Sequence, residues 1–299
     1  MQNNKNNAMI RDLILGYKSY GKAIRFIGKH KLYYYFLLPI FLFVGIYYLG
    51  VSLEEWKVEA SHTNSEEGFW LKIWYAIIYG FYTVMAYLVF KFMRYILIIA
   101  LSPVLSIVSE RVEQILTGNR YKFNLKQLIK DIKRTISLSI RNLMWEFGII
   151  YSLYLIVSLF SWVFSIPSDI EYYIDTTIAM FVGFYYYGFS FIDYMNERRR
   201  LTIAQSVVFV KKHKAFAFAL GSIFTVLFHY SNRYFSSAKD DLSSDAFLFV
   251  VVFLSIIMSM IPIITIVAAT LGVHELVDLN VNKHANIDED EESNVKQLE

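Results

Sequence analysis

Lys29, His30 and Lys31 fall within one helical turn, immediately before a long apolar run. Positive charge is thus concentrated where the first backbone N–H groups of a following helix lack intrahelical partners, a setting that attracts an oxyanion. Lysines at such a boundary can equally anchor to lipid headgroups by extending their ammonium groups into them. Other ionisable residues sit at the ends of apolar runs. Asp193 with Arg198, and Glu110 with Arg111 and Glu113, are expected to form inter-helix ion pairs at a membrane boundary. Glu146 stands close to the basic end of its run and is expected to contact Arg141 or the interface. His213 and His274 have no second ligand at helical spacing. Cysteine is absent, which excludes disulfides and thiolate chemistry. With no nucleophile and base pair, metal cluster, cofactor loop or GxxxxGK[ST] motif, the expectation is a non-enzyme without cofactor or nucleic-acid partner.

The elements that position these residues belong to a membrane. Hydrophobic residues make up 56% of the 299, charged residues only 18%, and mean hydropathy is +0.40. That composition leaves too little polar surface for a water-soluble domain and indicates an all-α, multi-span integral membrane protein. Many of the 23 tyrosines lie at the ends of apolar runs, as in Tyr33 to Tyr35 and Tyr185 to Tyr187, where amphipathic rings favour the headgroup layer.

Residues 1–9 are expected to form a disordered N-terminus, 10–276 one membrane domain and 277–299 a disordered acidic tail. From Ile10, the apolar positions Ile10, Leu13, Ile14, Tyr17, Tyr20, Ile24 and Ile27 recur at helical spacing, with Arg11, Lys18, Lys22, Arg25 and Lys29 opposite. Such a helix is expected to lie in the membrane surface, its lysines near anionic headgroups. Residues 32–53 then span the membrane, with Pro39 expected to kink the helix. Residues 54–68 are acidic; 69–90 span back to Lys91 and Arg94. The apolar stretch 95–108, interrupted by Pro103, either continues a very long helix leaning on other protein or dips in and returns.

Gly118 and Asn119 mark a turn, and Asn124 is placed to cap a second surface helix through Leu125, Leu128, Ile129, Ile132, Ile136 and Ile140. Two apolar hairpins follow, 143–166 with 174–192 around Pro167, and 215–230 with 246–276 around a tip containing Arg233, Lys239 and Asp245. Between them lie Arg198, Arg199 and Arg200, and a helix that Thr202 can cap. Lysine and arginine cluster at the N-terminal segment, at 111–141 and at 198–214, so six embedded arms with both termini cytoplasmic fit the positive-inside rule. Whether the hairpin arms cross fully is open at this level.

Four segments carry a family resemblance: KLYYYFLLPIFLF, ALSPVLSIVSERVEQILTG, FSFIDYMNERRRLTIAQSVVFVKKHKAFAFALGSIF and MIPIITIVAATLGV. In order and approximate spacing the chain resembles the CysZ-type sulfate permeases, of the same domain family as the eukaryotic etoposide-induced protein. The resemblance implies an oligomeric bacterial inner-membrane protein with two long transmembrane helices, here 32–53 and 69–116, and two helical hairpins inserted without fully crossing. It also implies an anion site at the start of the first long helix, placed here at Lys29, His30, Lys31 and Leu32. Lys31 stands at the family's glycine, and Tyr33 and Tyr34 stand at its two arginines. The polar positions Glu110, Arg111, Glu113, Asp193 and Arg198 also resemble the family's. The implied function is passive permeation of sulfate or a related small anion, with a non-transporting membrane scaffold or envelope regulator as the alternative.

Overall fold

The computed structural model describes residues 2–61, 69–119, 125–241 and 244–277, all helical apart from short connections. In order they are α1 (Gln2–Lys29), a five-residue 3-10 helix (Leu32–Phe36), α2 (Leu37–Ser61), α3 (Phe69–Thr117), α4 (Leu125–Phe164), α5 (Ser168–Arg198), α6 (Ile203–Lys212), α7 (Lys214–Asp241) and α8 (Ser244–Leu276). The protein is an all-α membrane protein. Among the described residues six stretches are long and apolar enough to cross a bilayer: Leu32–Glu59, Phe69–Val89, Tyr95–Thr117, Ile129–Phe164, Lys214–Ser231 and Ile256–Leu276. The arm on α5 is not among them, since Asp175, Thr176, Thr177 and Tyr185 to Tyr187 dilute its apolar character. It is instead buried by protein at nearly every residue from Gly183 to Asn196.

Of the two alternatives for 95–108, the long helix holds. α3 runs through Pro103 for 49 residues, about 73 Å at 1.5 Å per residue, more than twice the thickness of the hydrocarbon core. Its halves differ in surroundings: of the most apolar 18 residues in each, 6% are buried in Phe69–Val89 against 61% in Tyr95–Thr117. α3 ends at Gly118, whose φ of +79° and N–H bond to the Gln114 carbonyl (2.9 Å) form a left-handed cap.

Pro39 interrupts no hydrogen bond within α2. It is the third residue of α2, in the first turn where a helix donor is spare, and the 3-10 geometry before it takes up the change. α4 likewise differs from the expected surface helix followed by a separate arm, being continuous over 40 residues. The Asn124 cap, the acidic loop from 62 onward, the acidic tail and the side chains of Lys91, Arg94, Arg233, Lys239 and Asp245 lie outside the described residues. α1 reaches back to Gln2, through polar residues that carry no apolar periodicity.

The core lies where α1, the 3-10 helix and the inner halves of α3, α5, α7 and α8 meet. Leu97, Leu101, Phe191, Phe216, Phe224 and Val267 are all fully buried there. The outer halves are bare: Trp70 and Trp74 on α3 and Trp162 and Phe164 on α4 are exposed. Lipid tails accept such surfaces, so apolar burial alone cannot drive these helices together; close packing and polar contacts must do it.

Close packing is set by small residues around α7. A Cβ added to Gly188 on α5 would lie 1.7 Å from the Ala217 carbonyl oxygen, and one added to Gly221 on α7 would lie 1.8 Å from the Phe184 oxygen. The two backbones therefore touch at both points. Gly16 of α1 meets Ala219, and Gly272 of α8 meets the Phe216 ring, so three helices seat on one α7 segment.

Gly188→Ala and Gly221→Ala are each expected to destabilise the detergent-solubilised protein by about 3 kcal/mol in denaturant unfolding. Gly45→Ala and Gly80→Ala, where nothing lies within 4 Å of the new methyl group, are expected to be neutral to about 1 kcal/mol stabilising.

Candidate functional site

The basic segment joins α1 to the first span. Lys29 ends α1, His30 donates its backbone N–H to the Phe26 carbonyl (3.0 Å), and its ring packs on Phe26 at 4.4 Å between centroids. Lys31 then turns the chain in a left-handed conformation, φ 55° and ψ 39°. A glycine adopts that conformation freely, and glycine is what the resemblance places there. Lys29 and Lys31 are exposed and make no side-chain hydrogen bond or ion pair among the described residues. Leu32 is buried with Phe36, fixing the 3-10 helix to the core. It can offer an anion only its backbone N–H, and a five-residue 3-10 helix supplies little of the aligned dipole expected of a full helix. Tyr33 and Tyr34, at the arginine positions, are exposed.

The boundary polar residues form a junction, but with other partners than expected. Asp193 does not pair with Arg198. It accepts two parallel bonds from Arg134 of α4, Nε to Oδ2 at 2.9 Å and Nη2 to Oδ1 at 2.8 Å, and a third from the Ser206 hydroxyl of α6. Arg134 also donates to the Leu201 carbonyl (2.6 Å), tying down the α5–α6 connection. Arg198 donates instead to Glu113 of α3 (Nε to Oε2, 2.6 Å) and to Ser109 (2.5 Å), whose hydroxyl shares a hydrogen with Thr270 of α8 (2.9 Å). The reason is angular. Residues 193 and 198 are five apart, about 140° around a helix at 100° per residue, so they face different neighbours. Glu110 is half-buried, and Arg111 bonds Gln114 on its own helix rather than a partner across a boundary.

Arg198, Arg199 and Arg200 also separate. Arg198 is buried in the junction; Arg199 stacks on Phe209 of α6 at 5.1 Å; Arg200 closes α5 in a left-handed conformation and is exposed. Thr202 caps α6 through a reciprocal bond pair with Gln205. Burial pushes the Glu197 carboxyl up to about 9, and a hydrogen bond with Asp131 of α4 adds to the shift. A proton shared between the two acids lets them link α4 to α5 without charge repulsion.

Glu146 is buried and accepts a hydrogen bond from the Tyr95 hydroxyl of α3, while Arg141 lies over the Phe189 ring at 5.8 Å. His213, isolated in sequence, forms a 2.8 Å pair with Asp12 of α1. Arg134, Glu113 to Arg198 and Asp12 to His213 are the links that sequence spacing missed. Only the inward recurrence of Asp131, Thr135, Ser139, Asn142 and Glu146 on one face of α4 signals such a role beforehand. In this junction Arg134 is matched by Asp193 and Arg198 by Glu113, and the bonds join five helices at the basic end of the bundle.

Residues 19–268 match a protein family described as Sulfate transporter CysZ/Etoposide-induced protein 2.4. No curated protein matches the chain.

A double-mutant cycle on unfolding free energy is expected to give a coupling of about 2–3 kcal/mol between Arg134→Met and Asp193→Leu. The cycle between Arg198→Met and Asp193→Leu is expected to be additive within about 0.5 kcal/mol.

Proposed function

Because the chain belongs to the Sulfate transporter CysZ/Etoposide-induced protein 2.4 family, we propose that it passes sulfate or a related small oxyanion through the bacterial inner membrane, down its gradient. The family match over residues 19–268 carries this reading. Lys29, His30 and Lys31 form the entrance, where exposed ammonium groups beside a low-dielectric wall raise the local anion concentration. The backbone N–H of Leu32, held by its buried side chain, is the fixed donor behind them.

Passive flow is supported by what the arms contain. Residues 37–53, 147–164 and 215–228 hold no ionisable carboxylate, lysine or arginine, so ion-coupled transport has little to run on there. The clustering of lysine and arginine supports an entrance and both termini on the cytoplasmic side. A homo-oligomer belongs to this reading on the family resemblance alone, since lipid tails suffice to cover side chains such as Phe41, Trp70 and Phe81.

The test is sulfate uptake by proteoliposomes containing the purified chain. Wild-type protein is expected to take up sulfate, and the Lys29→Ala, Lys31→Ala double variant to lose about tenfold of that rate with unchanged thermal stability. No flux of sulfate, thiosulfate or phosphate through folded protein would replace the permease with a non-transporting scaffold.

A further inference from the structure

α1 carries three sectors rather than two. The packed sector consists of Asp12, Gly16, Ser19, Tyr20, Ala23 and Ile27, all buried against the body. It is fastened by polar bonds: Asp12 to His213, the Tyr20 hydroxyl to Thr265 (3.0 Å), and Lys22 to Glu275. Beside it runs an uncovered apolar strip, Ile10, Ile14, Tyr17 and Ile24, from 44% to 60% exposed. Beyond the strip lies a basic edge of exposed Arg11, Lys18 and Arg25. The first half of α4 repeats this order in the same rotational sense. Thr135, Ser139 and Asn142 are packed; Leu125, Ile129, Ile136 and Ile140 are uncovered; Lys130 and Lys133 form the edge. At 100° per residue the three sectors follow one another around both helices, so each strip lies between protein and cation.

The acids of these helices are turned the other way. Asp12 is buried on His213, Glu146 is buried under Tyr95, and Asp131 faces Glu197. Arg11 lies 3.9 Å from Asp12 and Lys22 is paired with Glu275, but Lys18 and Arg25 on α1 and Lys130 and Lys133 on α4 have no carboxylate partner among the described residues. A neutral bilayer would require only the apolar strip; a soluble acidic partner would have no use for isoleucines at the edge of the charge. A surface that is apolar along one line and purely cationic along the next fits a molecule with an acyl chain and an anionic head.

We propose that α1 and the first half of α4 are binding surfaces for anionic phospholipid, with acyl chains along the isoleucine strips and phosphate groups on the basic edges. The inference concerns how the protein is held and is independent of whether it conducts sulfate. The lipid charge completes what the fold leaves open, since attraction to a headgroup layer adds to apolar insertion only where no like charge intervenes.

The absence of cysteine makes the test direct. Bimane on Ile24→Cys, and separately on Ile136→Cys, is read in nanodiscs containing the full chain and a trace of nitroxide-labelled phosphatidylglycerol or phosphatidylcholine. The expected result is stronger quenching by the phosphatidylglycerol. The preference should fall about fivefold for each of Lys18→Gln and Arg25→Gln, or Lys130→Gln and Lys133→Gln, and be largely lost in about 1 M salt. Equal quenching by both lipids, or a preference unchanged by these substitutions, would overturn the proposal. Absence of quenching by either lipid would show the face covered by protein, and would overturn it too. Competition by glycerol phosphate beyond that of sodium chloride at equal ionic strength would mark a free-phosphate site and sink the lipid assignment.

Discussion

The architecture depends on one close approach, the backbone contact of α5 with α7 at Gly188 and Gly221. A single added carbon at either position would fall within 1.8 Å of a carbonyl oxygen. In a bilayer, where tails are as apolar as leucine, such proximity replaces the hydrophobic effect as the source of helix association, because dispersion attraction needs atoms at contact distance. α7 extends the same device to both neighbours, through Ala219 against Gly16 and Phe216 against Gly272. The segment from 216 to 221 is thus touched by α1, α5 and α8, and the placement of α1 fixes where the Lys29 to Lys31 turn emerges.

Polar groups follow from the same solvent. Charges in a low-dielectric interior need partners, and the buried ones here reach other helices. Hydroxyls such as Ser190, Thr265 and Thr270 bond the carbonyl one turn back on their own helix. Arg134 reaches Asp193, Arg198 reaches Glu113 and Ser109, and Asn142 reaches Ser190 (3.4 Å). These links are gathered at the basic end of the bundle. The opposite ends of α3, α4 and α5 carry exposed Trp70, Trp162 and Tyr172 and have no comparable network among the described residues. The basic end of the body is accordingly cross-linked by polar bonds, while its arms rely on whatever surrounds them.

Much of this is legible in the chain. Hydropathy gives the class, and Gly118 and the Thr202–Gln205 capping box mark real helix boundaries because both act locally, through φ and through one backbone donor. The family resemblance gives the extent of α3, and the family match covers residues 19–268. What spacing could not give is the partner of each charge. Asp193 and Arg198 look paired when written in a line, and diverge once 140° of helix turn separates them. On α1 and α4 most of the periodic isoleucines are uncovered by protein, but Tyr20 and Ile27 of the same series are buried, and serine, threonine, asparagine and small residues line the packed face. A soluble protein would reverse that assignment.

The central claim about function is that sulfate moves without coupling to another ion. The direct measurement is sulfate uptake into proteoliposomes under an imposed inside-positive potential, with pH and sodium equal on both sides. The account predicts uptake that follows the potential, stops when the potential is dissipated and is insensitive to removal of sodium. Uptake that appears only when a proton or sodium gradient is supplied, at zero potential, would contradict it.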